Sequence, residues 1–219
     1  MATQAALTAA AGALPSRTEA VLEAIKRAIL SGELPQGQSL VETDLADKLG
    51  VSKTPVREAL KTLAGAGLVT MSPYKGAAVR VVDAGQARHL YDVRLLLEPE
   101  ALRRSVDNSK NDWAPARLAL AAAAAARDLV ERNLANRDFH TALYAGCGNP
   151  LLIGLLADLS DQTALVSVAF WRRNPSWECE AAEHAAMLAA ACDGAAEEAA
   201  DLLRRHISSF FQRNLPEAR

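Results

Sequence analysis

The chain has 219 residues, of which 50% are hydrophobic and only 5% aromatic, and its net charge is −2 at pH 7. This length allows one large domain or two small ones, and the charge excludes a strongly basic nucleic-acid coat. The charge is uneven, because residues 1–80 hold nine Lys and Arg against seven Asp and Glu, and residues 81–219 hold fifteen against nineteen. Frequent Ala and Leu favour helices.

The cysteines and the N-terminus are typical of a cytoplasmic protein. Cys147, Cys179 and Cys192 are odd in number and form no CxxC motif, which favours a reducing compartment. Residues 1–14 lack the charged start and long apolar core of a signal peptide, so we interpret them as a disordered tail. No apolar stretch reaches the roughly 18 residues that a membrane span needs, and we expect no membrane partner.

Residues 15–82 have the pattern of a winged helix-turn-helix domain. A first helix with an apolar stripe is followed by a turn-rich link over 31–40, a short second helix and a third helix. Two short strands around SPYKG then form the wing. The predicted helices are 17–30, 42–49 (ended by Gly50) and one within 51–67, and the predicted strands are 68–71 and 77–82.

The third helix opens with VSKTPVREAL, residues 51–60. Ser52 or Thr54 can cap it, and Pro55 suits a first turn, where its missing N–H costs nothing. Helical spacing then places Lys53, Thr54 and Arg57 largely on the outer face. The exposed N-terminal end of the second helix of a helix-turn-helix enters the DNA major groove, where Arg can contact guanine with two hydrogen bonds.

The wing adds a second group of candidate contacts. Tyr74, Lys75 and Gly76 lie at its tip, and a basic tip can reach phosphates or a minor groove. The alternative for both groups is a solvated basic surface without a DNA role. The hairpin that follows the third helix favours DNA binding.

The run ILSGELPQGQSLVETDLADKLGVSKTPVREALKTLAGAGLVTMSPYKGAAV resembles the DNA-binding domain of GntR-type transcription regulators. The resemblance implies a dimer that binds a short palindrome in double-stranded DNA. The positions that match the family's DNA contacts are Lys53, Thr54, Arg57, Lys75 and Gly76. Two positions differ from the common pattern, because Thr43 and Lys53 stand where Arg is frequent, and Lys cannot reproduce the two-pronged contact of Arg.

Residues 83–219 are predicted to form an all-helical antiparallel bundle, which makes the protein mainly α. The predicted helices are 84–107, 113–147, 150–172, 178–193 and 195–214, separated by Asn, Gly and Pro breaks. The 113–147 span can also be read as two helices.

Three of the four histidines fall at similar depths in this bundle. His184 and His206 lie on adjacent helices, roughly 15–18 Å from the turn at Gly194, and His140 lies roughly 12 Å from the Gly148 turn. Asn136 precedes His140 by four residues and shares its helix face. Three imidazoles and one oxygen donor can therefore converge on Zn²⁺ or another divalent transition metal. The alternative is three ordinary helix histidines.

The segments HLYDVRLLLEPEALRRS, NRDFHTALYAGCGNPLL and EHAAMLAAACDGAAEEAADLLRRHI resemble the FCD ligand-binding domain of the FadR subfamily of GntR regulators. The short second domain is similar to the six-helix VanR-like branch. Metal-binding members use an Asp and three His, and the matching positions are Asn136, His140, His184 and His206. The resemblance therefore implies a metal, Zn²⁺ before Ni, Mn or Fe, held more weakly because Asn replaces Asp.

Arg94 and Tyr91 are candidate effector-binding residues. Arg94 shares a helix face with Leu90, Leu97 and Ala101, so its guanidinium is expected near the bundle interior, where it needs an anionic partner. That partner is either Glu98, one turn along the helix, or the carboxylate of an effector.

The sequence thus predicts a transcription regulator, most simply a repressor, with a small organic-acid effector. One alternative keeps the DNA role but has a metal-free pocket or a purely dimerising C-terminal domain. A more distant alternative is an enzyme with a three-histidine metal centre. The chain is predicted not to be an enzyme, because no suitably placed general base, nucleophile elbow or phosphate loop appears.

Overall fold

A computed structural model describes residues 16–214, apart from 109, 110, 173 and 175. The predicted tail over 1–14 lies outside these residues. The described part is mainly helical, with a small sheet near its start. Its elements are α1 (Arg17–Leu30), β1 (Ser39–Leu40), α2 (Glu42–Leu49), α3 (Lys53–Gly65), β2 (Val69–Ser72), β3 (Gly76–Val79), α4 (Ala84–Asp107), α5 (Ala114–Ala125), α6 (Leu129–Tyr144), α7 (Pro150–Trp171), α8 (Trp177–Cys192) and α9 (Ala196–Asn214).

The first unit is a winged helix-turn-helix. Ser16 caps α1 in a reciprocal capping box with Glu19, and Gly50 ends α2 with φ +65°, a backbone conformation that favours glycine. The antiparallel sheet has the order β1-β3-β2, and β2 pairs with β3 in the hairpin of the wing. The core lies between the helices and the sheet and includes the fully buried Ile29, Val56 and Leu60.

The second unit is a bundle of α4 to α9. The long helix α4 packs closely along α9, α5 packs along α6, and α8 packs along both α9 and α5. Its core is built from side chains of every helix, including Leu102, Phe139, Leu156, Met187 and Ile207. This arrangement confirms the predicted fold of a winged helix followed by a helical bundle.

Helix α7 joins the two units. Ala164 and Leu165 lie on α7 but belong to the core of the winged helix, whereas Leu156 and Val166 belong to the core of the bundle. The helix is long and apolar enough to cross a membrane by length and mean hydropathy, contrary to the sequence prediction that no stretch qualifies. Half of its most apolar window is buried inside the fold, as expected for a central core helix.

The structure selects one alternative that the sequence left open, and it adds one strand that the sequence analysis did not predict. The span 113–147 is two helices, because the chain leaves α5 at Ala126 and Asp128 caps α6 by accepting a hydrogen bond from the Glu131 backbone N–H at 2.8 Å. The link over 31–40 contains β1, which pairs with β3 through Ser39 and Leu40. A strand of two residues is too short to show the alternation by which strands are recognised.

Candidate functional site

The recognition helix α3 presents its first turn to solvent. Val56 and Leu60 are fully buried and fix the helix against α1, whereas Lys53, Thr54 and Arg57 are exposed. Ser52 occupies the N-cap position but makes no side-chain cap hydrogen bond. The first backbone N–H groups of α3 are therefore free of a side-chain cap, which leaves the helix start able to bind phosphate.

The Arg57 guanidinium is held by Glu42, the first residue of α2. Nε donates to Glu42 Oε1 at 3.0 Å, and Nη2 donates to Oε2 at 2.8 Å. These hydrogen bonds lower the pKa of Glu42 and raise the pKa of Arg57. Glu42 thus keeps a flexible side chain in one orientation across the helix-turn-helix, at the edge that faces solvent.

The tip of the wing is open. Tyr74 is 98% exposed, and Lys75 and Gly76 are also exposed. Gly76 has φ +72°, so the turn into β3 uses a left-handed residue. The five predicted DNA-contact residues therefore divide between two exposed elements, the start of α3 and the tip of the wing.

His140, His184 and His206 come together in the interior of the bundle. One nitrogen of each lies within 4.8 Å of the others, and all three side chains are buried. The Nε2 atoms of His184 and His206 are 3.3 Å apart. Two nitrogens that each lie about 2.05 Å from one tetrahedral ion are separated by about 3.3 Å, so this spacing suits a shared metal ion.

The surroundings favour neutral histidines and supply a further donor. Burial, followed by the neighbouring histidines and Arg94, lowers the pKa of His140 well below its usual value, and burial with His206 and Arg94 does the same for His184. A neutral imidazole is the form that binds metal. The buried Oδ1 of Asn136 has no hydrogen-bond partner within the described residues. An oxygen without a partner beside three clustered imidazoles fits a divalent ion.

A carboxylate orients His206. Glu183 Oε2 lies 2.6 Å from His206 Nδ1, and Arg213 donates to the other oxygen of Glu183 at 3.1 Å. Burial opposes ionisation of Glu183, but these two hydrogen bonds keep its pKa below the usual value. With Nδ1 occupied by a carboxylate, His206 presents Nε2 to the histidine cluster, as metal-binding histidines commonly do.

Arg94 and Tyr91 were predicted to bind an effector, but both side chains are buried and Arg94 is already paired. Arg94 donates to both oxygens of Glu98, at 2.5 and 3.2 Å, and its guanidinium lies 4.8 Å from the Tyr91 ring centre. Burial lowers the pKa of Arg94, but Glu98 outweighs it and the pKa is raised. The cavity beside Arg94, Asn136 and His140 has a volume of only about 10 Å³. Of the two partners considered for Arg94, the structure therefore shows Glu98. The Tyr91 ring stacks on the Phe210 ring.

A larger cavity lies on the other side of the histidine cluster. It has a volume of about 320 Å³ and is bounded by α5, α6, α8 and the end of α7. Asn136 and His184 line it, so it opens directly onto the candidate metal ligands. Its remaining lining is Leu120, Ala123, Ala124, Arg132, Trp171, Trp177, Glu178, Glu180, Ala181 and Ala185.

The sequence reasoning did not select Arg132 or Glu183. Arg132, Asn136 and His140 repeat every four residues, so the helical period was a signal for Arg132. Glu183 directly precedes His184 in sequence but contacts His206, and only the packing of α8 on α9 reveals this contact.

The winged helix and the bundle define a class of protein, a winged-helix DNA-binding regulator with a second, all-helical domain. Two family models match the chain: "Bacterial regulatory proteins, gntR family" over residues 17–79 and "FCD domain" over 89–209. The chain therefore belongs to the GntR family of DNA-binding transcription regulators and carries an FCD domain.

Named relatives agree with this assignment. The uncharacterized HTH-type transcriptional regulator BphR of Paraburkholderia xenovorans (strain LB400) is 32% identical over 204 residues, covering 89% of this chain and 83% of BphR. The HTH-type transcriptional repressor GlaR of Escherichia coli (strain K12) is 26% identical, covering 84% of this chain and 89% of GlaR. These relatives are regulators and not enzymes, which removes the enzyme alternative.

A solved structure agrees as well. A GntR transcriptional regulator from Rhodococcus sp. RHA1 superposes with a TM-score of 0.83 at 25% identity, covering 94% of this chain and all of that one. The likeness extends over both units, so the arrangement of winged helix and bundle is one that a related regulator also has.

Proposed function

We propose that this regulator is a cytoplasmic homodimeric repressor whose bundle binds a small carboxylate effector through a divalent metal ion. The observation that carries the proposal is the buried cluster of His140, His184 and His206 with the unpartnered Oδ1 of Asn136. Zn²⁺ is the first candidate because it prefers tetrahedral nitrogen-rich sites, and Ni, Mn or Fe are the alternatives.

On the DNA side, Lys53, Thr54 and Arg57 contact the major groove of a short palindrome, and Lys75 and Gly76 contact its backbone. When Arg57 contacts a base, its guanidinium either leaves the Glu42 carboxylate or keeps part of its hydrogen bonding to it. Phosphate contacts by the lysines make the affinity depend on salt, whereas the contact by Arg57 carries sequence discrimination.

On the effector side, the three histidines and Asn136 would hold the ion. A bound divalent ion would supply a positive centre for the effector's carboxylate, which would enter as a fifth ligand. Glu183 keeps His206 in the tautomer that exposes Nε2, and Arg94 with Glu98 closes the interior beside His140. Because Asn136 is a neutral donor, the affinity for metal is lower than in members with Asp.

Repression and dimerisation are supported by the name of a relative and by an exposed apolar surface. GlaR is named a repressor, and the same role is proposed here. Of the large apolar side chains that are well exposed, Leu96 lies on α4 and Leu151 and Leu155 lie on α7, and these two helices pack against each other. They offer a second copy of the chain an apolar surface, and a dimer would place two recognition helices on a palindrome.

One specific observation favours a metal-free variant of this function. The 320 Å³ cavity exists beside the histidines, and Asn136 supplies no negative charge to hold an ion. In that case the effector carboxylate would hydrogen-bond to the protein directly. Metal analysis of tag-free protein separates the two possibilities, because the metal-free variant predicts less than about 0.1 ion per chain after dialysis.

The test is an anisotropy titration of the tag-free protein against its own upstream DNA, over a salt series. We expect Arg57→Ala to weaken specific binding by about 5- to 150-fold, which corresponds to about 1–3 kcal/mol. Arg127→Ala is the matched control, because Arg127 is an exposed arginine between α5 and α6 and is not a predicted DNA contact. Affinity for random DNA should change little in either variant.

The same titration tests the switch. With EDTA, the effect of carboxylic acids on operator affinity should disappear, and added Zn²⁺ should restore it. A change in operator affinity of less than twofold across a panel of acids, with and without metal, would contradict the proposed effector role. Equal loss in Arg57→Ala and Arg127→Ala would contradict the assignment of the recognition helix.

A further inference from the structure

The cavity beside the histidines has a shape that follows from the alanines around it. The helices α5 and α8 face each other across it with Ala123, Ala124, Ala181 and Ala185. Side chains this short leave a gap between two neighbouring helices, and the gap has a volume of about 320 Å³.

Two tryptophans bound one end of this cavity. Trp171 is 2% exposed, and its indole N–H donates to Glu180 Oε1 at 3.0 Å. Trp177 is partly exposed at the start of α8. Rings held in place by packing and a hydrogen bond offer flat apolar surface, which favours an aromatic partner by more than its buried area alone.

Charge distinguishes the two sides of the cavity. Glu178 and Glu180 lie near the start of α8, and Glu180 already accepts hydrogen bonds from Trp171 and Ser176. Their negative charge disfavours an anion there. The α6 side instead carries the Arg132 guanidinium, which lies 5.0 Å from the Trp177 ring centre, with Asn136 one turn further along the helix. A carboxylate therefore belongs on the α6 side.

We infer that this cavity binds a carboxylic acid with a single aromatic ring. The ring lies between the alanines of α5 and α8 and against Trp177. The carboxylate is directed to α6, where one oxygen pairs with Arg132 and the other is left for the ion proposed at Asn136 and the histidines. Arg132 and Ala123 are then specificity-determining residues. The inference rests on the proposed effector-binding function, and it adds the class of acid and the residues that select it.

Tryptophan fluorescence can detect a ligand in this cavity, because two of the chain's three tryptophans line it. Trp113 lies outside the lining, so Trp113→Phe removes the background emission. In that variant we expect benzoate to change tryptophan emission with saturation. Cyclohexanecarboxylate should bind about two- to tenfold more weakly because it lacks the aromatic contribution, and lactate should bind still more weakly.

Three substitutions assign the contacts. Ala123→Leu fills the cavity and should weaken benzoate binding by at least about tenfold, whereas Ala121→Leu, on the exposed side of the same helix and outside the lining, should not. Arg132→Gln should weaken benzoate by about tenfold and leave uncharged benzyl alcohol unchanged. Circular dichroism and melting temperature establish that each variant is folded.

The outcomes separate this inference from the proposed function. Lactate that binds as tightly as benzoate, binding that Ala123→Leu leaves unchanged, or no binding by any ring acid would each overturn the inference. If a short acid nevertheless releases the operator, the proposed function stands without it. If benzoate binds as described but operator affinity stays constant, the cavity assignment stands and the regulatory role fails.

Discussion

His140 and His184 are buried side by side, and both are kept neutral by the fold. Burial first, then neighbouring histidines and Arg94, lowers the pKa of His140 and His184 well below the usual 6.5. In the unfolded chain both take up a proton near pH 6.5. The unfolded state therefore binds more protons below that pH, and the metal-free protein loses stability as the pH falls.

The prediction is a stability that is constant above about pH 7 and falls between pH 6.5 and 5 in EDTA. Each histidine that takes up a proton on unfolding changes the free energy of unfolding by at most about 1.36 kcal/mol per pH unit. The maximal slope for the pair is therefore about 2.7 kcal/mol per pH unit. Urea unfolding followed by tryptophan emission measures this, because Trp113, Trp171 and Trp177 all lie in the bundle.

The histidines themselves supply the control. His140→Gln should remove about half of the slope, whereas His89→Gln, at an exposed position of α4, should leave it unchanged. A free energy of unfolding that stays flat from pH 6.5 to 5 would mean that the histidines are solvated or charged in the fold.

For single residues, the sequence predicted where a side chain lies better than which side chain it contacts. Helical rise alone placed His140, His184 and His206 at similar depth, and the structure brings these three together. The partner of Arg94 was left open between Glu98 and an effector, because spacing cannot tell which of two anions is closer. Arg132 and Glu183 were missed because their roles depend on which helices meet, which a single sequence does not reveal.

The turn between α2 and α3 depends on the backbone of one glycine. Gly50 has φ +65°, and a Cβ added there would meet nothing within 4 Å. Gly50→Ala therefore has no steric clash with its neighbours, and its cost is the left-handed backbone alone, about 1–2 kcal/mol. We expect faster hydrogen exchange of the α2 and α3 amides and weaker operator binding at 37 °C.

Gly65 provides a matched control within the same motif. It is the last residue of α3, it lacks a positive φ, and a Cβ there also meets nothing within 4 Å. Gly65→Ala should leave stability unchanged or raise it by up to about 1 kcal/mol, because alanine reduces the freedom of the unfolded chain. Equal effects of the two substitutions would show that the conformation of Gly50 does not limit the turn.

Helices were predictable where periodicity and end signals agreed. The ranges 17–30, 42–49 and 84–107 match α1, α2 and α4, because an apolar stripe and a clear break bound each of them. The division of 113–147 into one helix or two was left open, since the alanines before the break favour a continuous helix, although Asp128 and Glu131 have the spacing of an N-terminal cap. Strand β1 is defined by its pairing with β3, which no local pattern encodes.

The two units of the molecule are held together by polar contacts that converge on α6 and α7. Asn133 donates to the carbonyls of Leu30 on α1 and Ala164 on α7, both at 3.0 Å. Asp161 on α7 is 2% exposed; it accepts from Arg137 on α6 and pairs with Lys26 of the winged helix at 2.7 Å. The helix that carries Asn136 and His140 thus also contacts the DNA-binding unit.

This placement gives the proposed switch a physical route. A ligand on Asn136 or His140 can change operator affinity only if it binds two arrangements of the units with different affinity. Arg137 follows Asn136 directly and holds Asp161, so a small rotation of α6 alters both the effector side and the contact to Lys26. Asp161 is the buried partner that the two cations share, and each also has an exposed partner, Glu23 for Lys26 and Asp138 for Arg137.

We therefore expect Asp161→Asn to loosen the junction between the units. Among the described residues, Asp161 is the buried carboxylate that pairs with both Lys26 and Arg137, and the partners left to them, Glu23 and Asp138, are exposed. The substitution should cost about 1–3 kcal/mol, because hydrogen bonds to a buried group are lost. Trypsin should then cut faster after Arg80, in the segment between β3 and α4, while the operator affinity of the variant responds less to effector. Time-resolved gel analysis and the anisotropy titration measure the two effects.

Asp158→Asn is the control, because Asp158 lies on the same helix one turn earlier but is exposed. It should match the unsubstituted protein in both measurements. If Asp161→Asn were cut faster but kept its full response to effector, the ionic contact would only hold the units together, and the signal would have to travel through Asn133 and the apolar contacts of α7. If neither measurement changed, the junction would depend on Ala164, Leu165 and their apolar neighbours alone.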